Sequence, residues 1–584
     1  MQRFAIQAAE LIADSLGKPF TVEELSIPQD RTHGDFAFPC FKMAKELRKA
    51  PPEIAKDFAS KIQSSAHKYL SSFTVASVGP FVNFTVTREA AMNAFLPQIL
   101  EGADCGSFGK LKPGSRGKWT LEFSSPNIAK PFNIYHLRGT ALGAALSRAG
   151  VHRGFDVVKI NHLGDWGTQY GKLAVAFKLY KNEMPANPTI PDLVNIYVKF
   201  HQDLEKDPTL EDQARQAFVN LENNEPEITA LWKNCVEIAL KEFTATYKRL
   251  DIEFDHYWGE SFYKDLLKPL VQKLKDQKLL VESEGAWIVP VTDREGREIP
   301  PCILEKKDGA SIYATRDLAA AIYRHDKFKF DRMTYIVGQE QKLHFQQVFG
   351  VLRKMGFEWE KVCEHVATGL YRFKDAKMST RKGNFVTLDS VLEEAKTKSK
   401  ELLIARTQDT RTQYQDFPGG YDGFIEETSE AVAIGAVVFH DLSTDPARDV
   451  EFDLDRVVSF EGETGPYLQY AYIRCLSILR KAGRDADFNP ALIARLTHPA
   501  ELTLVKQLGL FGTHLDRTLN FAKASQLCNF LIDVSKDFGH FYRECHVMGD
   551  DPELTSARLM LVESTRRIMG LGMKILGVPR PSRM

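Results

Sequence analysis

An α/β fold organised on a parallel sheet is predicted by three features of the sequence. Short apolar, β-branched or aromatic runs begin the segments 118–123, 156–167, 331–341 and 364–373, and each reads as a strand. Helical patterns, not tight turns, separate these runs, which argues for parallel, doubly wound strands. Polar residues gather where the strands end, which is where ligands of such sheets usually sit.

The other elements follow in order along the chain. Over residues 1–110, helical patterns such as PEIAKDFASKI (52–62) alternate with strand-like stretches such as VGPFVNFTVT (78–87). The Gly/Lys/Pro-rich link at 106–118 marks a boundary. The expected division is an α+β N-terminal domain over 1–110, a sheet-bearing domain over 115–395 and an all-α region over 396–584. A mostly helical insertion, about 180–312, lies between the second and third strands, and DREGRE near its end reads as a hairpin turn. After about residue 390 strand signals almost vanish and amphipathic helical patterns dominate.

Composition narrows the function classes. With 584 residues the chain is too long for one core, and 43% hydrophobic with 26% charged residues is ordinary for a globular protein. The net charge of −1 means that a polyanionic partner must be met by local basic patches. No basic start precedes an apolar block, and no apolar run approaches the roughly 20 residues of a membrane span. The eight cysteines are scattered without a C-x-x-C pair, so neither disulfides nor a dedicated metal site is expected. A cytoplasmic location without membrane contact is the expectation.

The chemistry concentrates in two loops. A Walker phosphate loop is absent. Instead, SSPNIAKPFNIYHLRGT (124–140) leads from the first strand into a helix, with His136 where the helix begins. A helix N-terminus offers unpaired N–H groups and partial positive charge to a phosphate. A second loop, DAKMSTRKGNFVTL (375–388), sets Lys377, Arg381 and Lys382 around Ser379 and Thr380. Alone, the first is an ordinary helix cap and the second a solvated loop. Together they suit a triphosphate, one holding the α-phosphate and the other the departing pyrophosphate.

These stretches occur in a particular order, with NHLGDWGTQYGKL, SIYATRDLAAA, YIVGQEQKLHFQQ, KMSTRKGNFV and FEGETGPYLQYAYIR following the first. In that order the whole chain resembles the arginyl-tRNA synthetases, a class I aminoacyl-tRNA synthetase family. EFSSPNIAKPF together with YATRDLAA is specific to the arginine enzymes. The resemblance implies a class I Rossmann-like catalytic domain, an N-terminal module that touches the tRNA elbow and a helical anticodon-binding bundle. It implies a ligase that joins L-arginine to ATP, accompanied by Mg2+, and passes the arginyl group to its tRNA; a monomer is expected.

The resemblance also implies site residues. His136, Lys377 and Lys382 are the expected catalytic residues. ATP contacts fall on Asn133, His136, Gly164 and His344, and on Lys377, Met378, Ser379 and Arg381 of the second loop. Arginine contacts fall on Glu122, Asn127, Tyr313, Asp317 and Gln341, because an always-charged guanidinium fork calls for carboxylates. Without the resemblance, Asp317 reads as a partner of Arg316 or a helix cap, Glu122 as part of a buried ion pair and Trp166 as core. Tyr542 is the expected tRNA contact, as an aromatic platform for a base.

The chain departs from the family's H-x-G-H signature, with Asn133 at the first histidine and Tyr135 at the glycine. Two readings follow, an active ligase and a tRNA-binding paralogue that has lost catalysis. A decayed catalyst should lose its substrate groups too, and Glu122, Asn127, Asp317, Gln341 and His136 all persist. The active enzyme is favoured.

Overall fold

The computed structural model describes residues 1–584 except 29, 103, 105, 306–311, 374–385 and 484–485. Near the N-terminus, β1 (Phe36–Pro39), β2 (Phe73–Val78) and β3 (Phe81–Val86) form an antiparallel sheet in the order β1-β3-β2. Helices Gln2–Leu16, Pro51–Gln63 and Arg88–Leu100 accompany it, and the buried side chains of Phe4, Phe58, Phe84 and Phe95 belong to its core. This unit rests on the C-terminal helices. Lys506 meets Asp35 at 2.6 Å, and Arg88 donates to the Thr497 carbonyl at 2.6 Å.

The central layer is a five-stranded, all-parallel sheet. It contains β4 (Lys118–Glu122), β5 (Asp156–Asn161), β6 (His256–Tyr257), β10 (Arg332–Gly338) and β11 (Cys363–Thr368), in the order β11-β10-β4-β5-β6. The four runs read as strands from the sequence are all present. The fifth, β6, lies inside the stretch read as a helical insertion, and two residues are too few to announce a strand. Chain order reverses between β4 and β10, and ligands of open α/β sheets bind outside the strand ends at such a switch point.

Helix Ile134–His152 follows β4 and lies close against it. Gly150 makes this possible, because a Cβ there would stand 2.9 Å from the Trp119 ring. Strands β7 (Val281–Ser283), β8 (Ala286–Thr292) and β9 (Glu298–Glu305) form the expected hairpin region. The DREGRE turn is held by Asp293, whose Oδ1 accepts from the backbone N–H groups of Glu295 and Arg297 at 3.0 and 2.9 Å.

Beyond the sheet the chain is mainly helical, from Leu388–Thr407 and Gly420–Ser443 to Ser525–Glu544 and Pro552–Leu576. Among the described residues one short pairing interrupts it: β12 (Tyr371–Phe373) runs parallel to β13 (Val450–Phe452). No described helix is long and apolar enough to cross a membrane.

Candidate active site

Between β4 and the helix that follows it, Ser124 and Ser125 both take left-handed backbone conformations, with φ of 74° and 48°. Non-glycine residues adopt this region at a cost, so the turn must be held from outside. The Ser124 hydroxyl lies 2.7 Å from Tyr247 Oη and receives a hydrogen bond from Thr140 at 2.8 Å.

Asn133 then starts the helix. Its Oδ1 accepts the Tyr135 N–H at 3.1 Å, and its own N–H donates to His136 Nδ1 at 3.1 Å. This reciprocal cap explains why asparagine serves here, since it is among the best N-cap residues. Burial pushes the His136 imidazole down to about 4, so it is neutral at pH 7. With Nδ1 accepting, the ring proton sits on Nε2. The turn therefore offers a neutral N–H donor and a helix N-terminus, and positive charge must come from elsewhere.

Lys377, Met378, Ser379, Arg381 and Lys382 lie outside the described residues. Their C-terminal flank abuts the turn: Asn133 bridges Thr387, Ile134 donates to the Val386 carbonyl at 3.2 Å and Leu388 donates to that of Phe132 at 3.0 Å. On the N-terminal flank, the Tyr371 ring of β12 meets Tyr135 edge-on at 6.3 Å. Tyr135 is 46% exposed, with its ring leaning toward β12.

A second cluster forms at the ends of β4 and β5 and on the helices flanking β10. Asp317, on helix Tyr313–Phe328, has His344 Nε2 at 2.5 Å from Oδ2 and His162 Nε2 at 3.4 Å from Oδ1. Burial pushes the Asp317 carboxyl up, yet the two imidazoles hold it well below the usual carboxylate range. Burial pushes His162 down, but Glu122 and Asp317 outweigh it and raise the ring to about 9. The same balance, with Asp317 as the main opposing group, raises His344.

Glu122 is buried and closes on Arg324, whose Nε donates to the Tyr263 hydroxyl at 3.0 Å. Arg316 does not pair with Asp317. Its Nη1 reaches Glu260 at 3.0 Å instead, because neighbouring helical residues point to different faces.

Asn127 bridges Gly164, and a Cβ at position 164 would stand 3.3 Å from Asn127 Nδ2, so the two backbones pack directly. Asn127 Oδ1 accepts from Ala129 N–H at 2.9 Å and from the Tyr170 hydroxyl at 3.3 Å. Tyr313 is 62% exposed, with the Arg316 guanidinium 5.3 Å from its ring centre, and Gln341 is exposed beyond β10. Trp166 is core. His344 stands on Asp317, a relationship the sequence did not suggest. Arg324 was also missed, although it follows Asp317 by seven residues and so shares its helix face.

Residues 105–454 match the family described as tRNA synthetases class I (R), catalytic domain. Residues 468–584 match the DALR anticodon binding domain, and 5–86 the arginyl tRNA synthetase N terminal domain. The arginine–tRNA ligase of Exiguobacterium sibiricum is 39% identical over 100% of this chain and 99% of its own length. That of Clostridium acetobutylicum is 41% identical over 95% of this chain and 94% of its own. The chain belongs to the arginyl-tRNA synthetase family. Among solved structures, the Thermus thermophilus arginyl-tRNA synthetase superposes with a TM-score of 0.78 at 23% identity, covering 99% of both chains. The Plasmodium falciparum arginyl-tRNA synthetase gives 0.79 at 23%, covering 100% of this chain and 99% of its own. At that identity the likeness establishes the shared fold.

Within the region that matches the DALR domain, Tyr542 is 42% exposed on helix Ser525–Glu544. Arg474, on helix Gly465–Ala482, contacts two tyrosines, with its guanidinium 5.4 Å from the Tyr542 ring centre and 4.9 Å from that of Tyr470. Tyr470 is 39% exposed, so Tyr542 belongs to an aromatic–cation surface and does not stand alone. Phe541, its neighbour in sequence, is core.

Proposed function

We propose that the protein is an active arginine–tRNA ligase. Its first reaction joins L-arginine to ATP: a carboxylate oxygen of arginine attacks the α-phosphorus, the bond to the bridging oxygen breaks and pyrophosphate leaves. In the second, a hydroxyl of the terminal tRNA ribose attacks the arginyl carbonyl and AMP leaves. Both steps depend on positioning and charge stabilisation more than on protein nucleophiles.

One observation carries this reading. In a chain of this family, a neutral N–H donor at a helix N-terminus and an ionised carboxylate lie around the C-terminal ends of one parallel sheet. His136 Nε2–H suits a phosphate oxygen. Lys377, Arg381 and Lys382 would supply positive charge for the triphosphate, which Mg2+ accompanies as part of the substrate. Asp317, pre-set by His162 and His344, suits the guanidinium. Glu122 acts with it from the adjoining Arg324 pair, and Asn127, Tyr313 and Gln341 complete the arginine contacts.

Asn133 acts as a helix cap, and Tyr135 packs toward β12. Neither role conflicts with catalysis, which favours the ligase over an inactive paralogue. The test is arginine charging of total tRNA by the purified protein. No charging in the presence of ATP, Mg2+ and arginine would remove the proposal.

A further inference from the structure

Arg138 follows His136 by two residues on the same helix, and its guanidinium reaches out of the sheet layer. Nη1 lies 3.3 Å from Asp441 Oδ1, on helix Gly420–Ser443, and Nη2 donates to the carbonyls of Asp445 and Pro446 at 3.2 and 2.8 Å. The same Asp441 oxygen accepts the Tyr371 hydroxyl at 2.5 Å. All three side chains are buried: Arg138 and Asp441 are each 3% exposed and Tyr371 4%.

The backbone leading into β12, and the Arg372 side chain within it, are clamped by the same segment. Gly369 N–H donates to Pro446 O at 2.8 Å, Leu370 N–H to Asp449 Oδ1 at 2.9 Å and Arg372 Nε to Asp449 Oδ2 at 2.7 Å. Any side chain at position 369 would run into the Arg448 carbonyl. Asp445 in turn holds Lys523 at 2.5 Å, within the region that matches the anticodon-binding domain.

One carboxylate outside the sheet thus ties together the first turns of the His136 helix and the strand whose tyrosine meets Tyr135. A buried ion pair contributes little net stability, because desolvation offsets most of its attraction. Registry is the best-attested use of such a pair, and an error of about 1 Å in a catalytic donor can cost on the order of 10²-fold in rate.

We propose that Asp441 is a positioning residue for adenylate formation, acting through Arg138 on His136 and through Tyr371 on β12. This rests on the ligase reading above. The test uses the full-length Asp441→Asn and Tyr371→Phe proteins, charging tRNA with ATP varied. Asp441→Asn is expected to lower kcat/KM for ATP by roughly tenfold or more, with arginine KM and tRNA Kd within about twofold of wild type. Tyr371→Phe should shift the same constant in the same direction by less. A folded Asp441→Asn protein with wild-type ATP kinetics overturns the proposal. So does a loss that only scales the active fraction and moves no ratio among the three substrates. If Asp441→Asn does not fold, Tyr371→Phe decides, because it removes one hydroxyl, and unchanged ATP kinetics there overturn the proposal. Failure of the wild type to charge tRNA would instead remove the ligase reading itself.

Discussion

Nε2 of His344 lies 2.5 Å from Oδ2 of Asp317, while His162 Nε2 approaches the other carboxylate oxygen at 3.4 Å. The carboxylate is thereby fixed in orientation and kept ionised, with its side chain 21% exposed. Each oxygen has a further lone pair, so a guanidinium fork can add its two donors without displacing either ring.

Asp317→Asn should therefore lower kcat/KM for arginine by roughly 10²-fold or more, because it leaves a bound guanidinium without its counter-charge. The ATP KM should change by less than about threefold. Steady-state charging with each substrate varied separates the two constants, and an unchanged arginine constant would exclude Asp317 from the site.

The His162 ring gives a stability prediction with a definite sign. Its folded-state value of about 9 is raised above the ordinary histidine value of about 6.5. Its contribution is thus fully present below about pH 6.5 and is lost as pH rises through 9. Urea unfolding at pH 7 and pH 10 should show the gap between wild type and His162→Gln narrowing at the higher pH. A gap that stays constant would mean that His162 is not charged in the folded protein.

How far the sequence disclosed this arrangement depended on length and chemistry. The segments containing β4, β5, β10 and β11 are apolar runs with polar ends, and their order set the fold class. β6 is two residues long and is defined only by its pairing with β5. β1 is four residues ending in a proline, too short to alternate visibly. His136 and Asp317 stood out because motifs carried them. Arg324 did not, because an arginine on a helix reads as exposed until Glu122 and Tyr263 are found around it. The Asp441 contacts join residues some 300 positions apart, 138 with 441, which no local pattern records.

The contacts of Arg474 with Tyr470 and Tyr542 predict a tRNA-specific defect. Stacking on an exposed aromatic contributes about 1–3 kcal/mol per base. Tyr542→Ala should weaken tRNA binding by roughly tenfold, and Arg474→Ala should also reduce the salt dependence of binding by removing a cation. Arginine and ATP constants measured at saturating tRNA should not move. Filter binding across a salt series checks this, and wild-type affinity in both variants would place the tRNA elsewhere.

The two departures in the signature turn can be separated by substitution. Tyr135 is 46% exposed and leans on Tyr371, so its ring is directed toward β12 and its backbone faces the turn. Removing the ring should leave a nucleotide's environment nearly unchanged, while glycine in a helix's first turns costs about 1 kcal/mol of stability. Tyr135→Gly should therefore lower the melting temperature slightly and change the ATP KM by less than about tenfold, under about 1.4 kcal/mol. His136 is a different case, since its Nδ1 completes the cap and its Nε2 carries the ring proton. Losing one such donor at a developing charge costs about 2.7–4 kcal/mol, so His136→Ala should cut the charging kcat by roughly 10²–10³-fold. Asn133→Ala separates the two roles of the turn. It removes the Oδ1 acceptor of the cap, worth about 0.5–2 kcal/mol in stability, and leaves Nε2 in place, so kcat should fall far less than in His136→Ala. Should the wild type bind no ATP and Tyr135→Gly restore binding, the tyrosine blocks the turn and the chain is a tRNA-binding relative without catalysis.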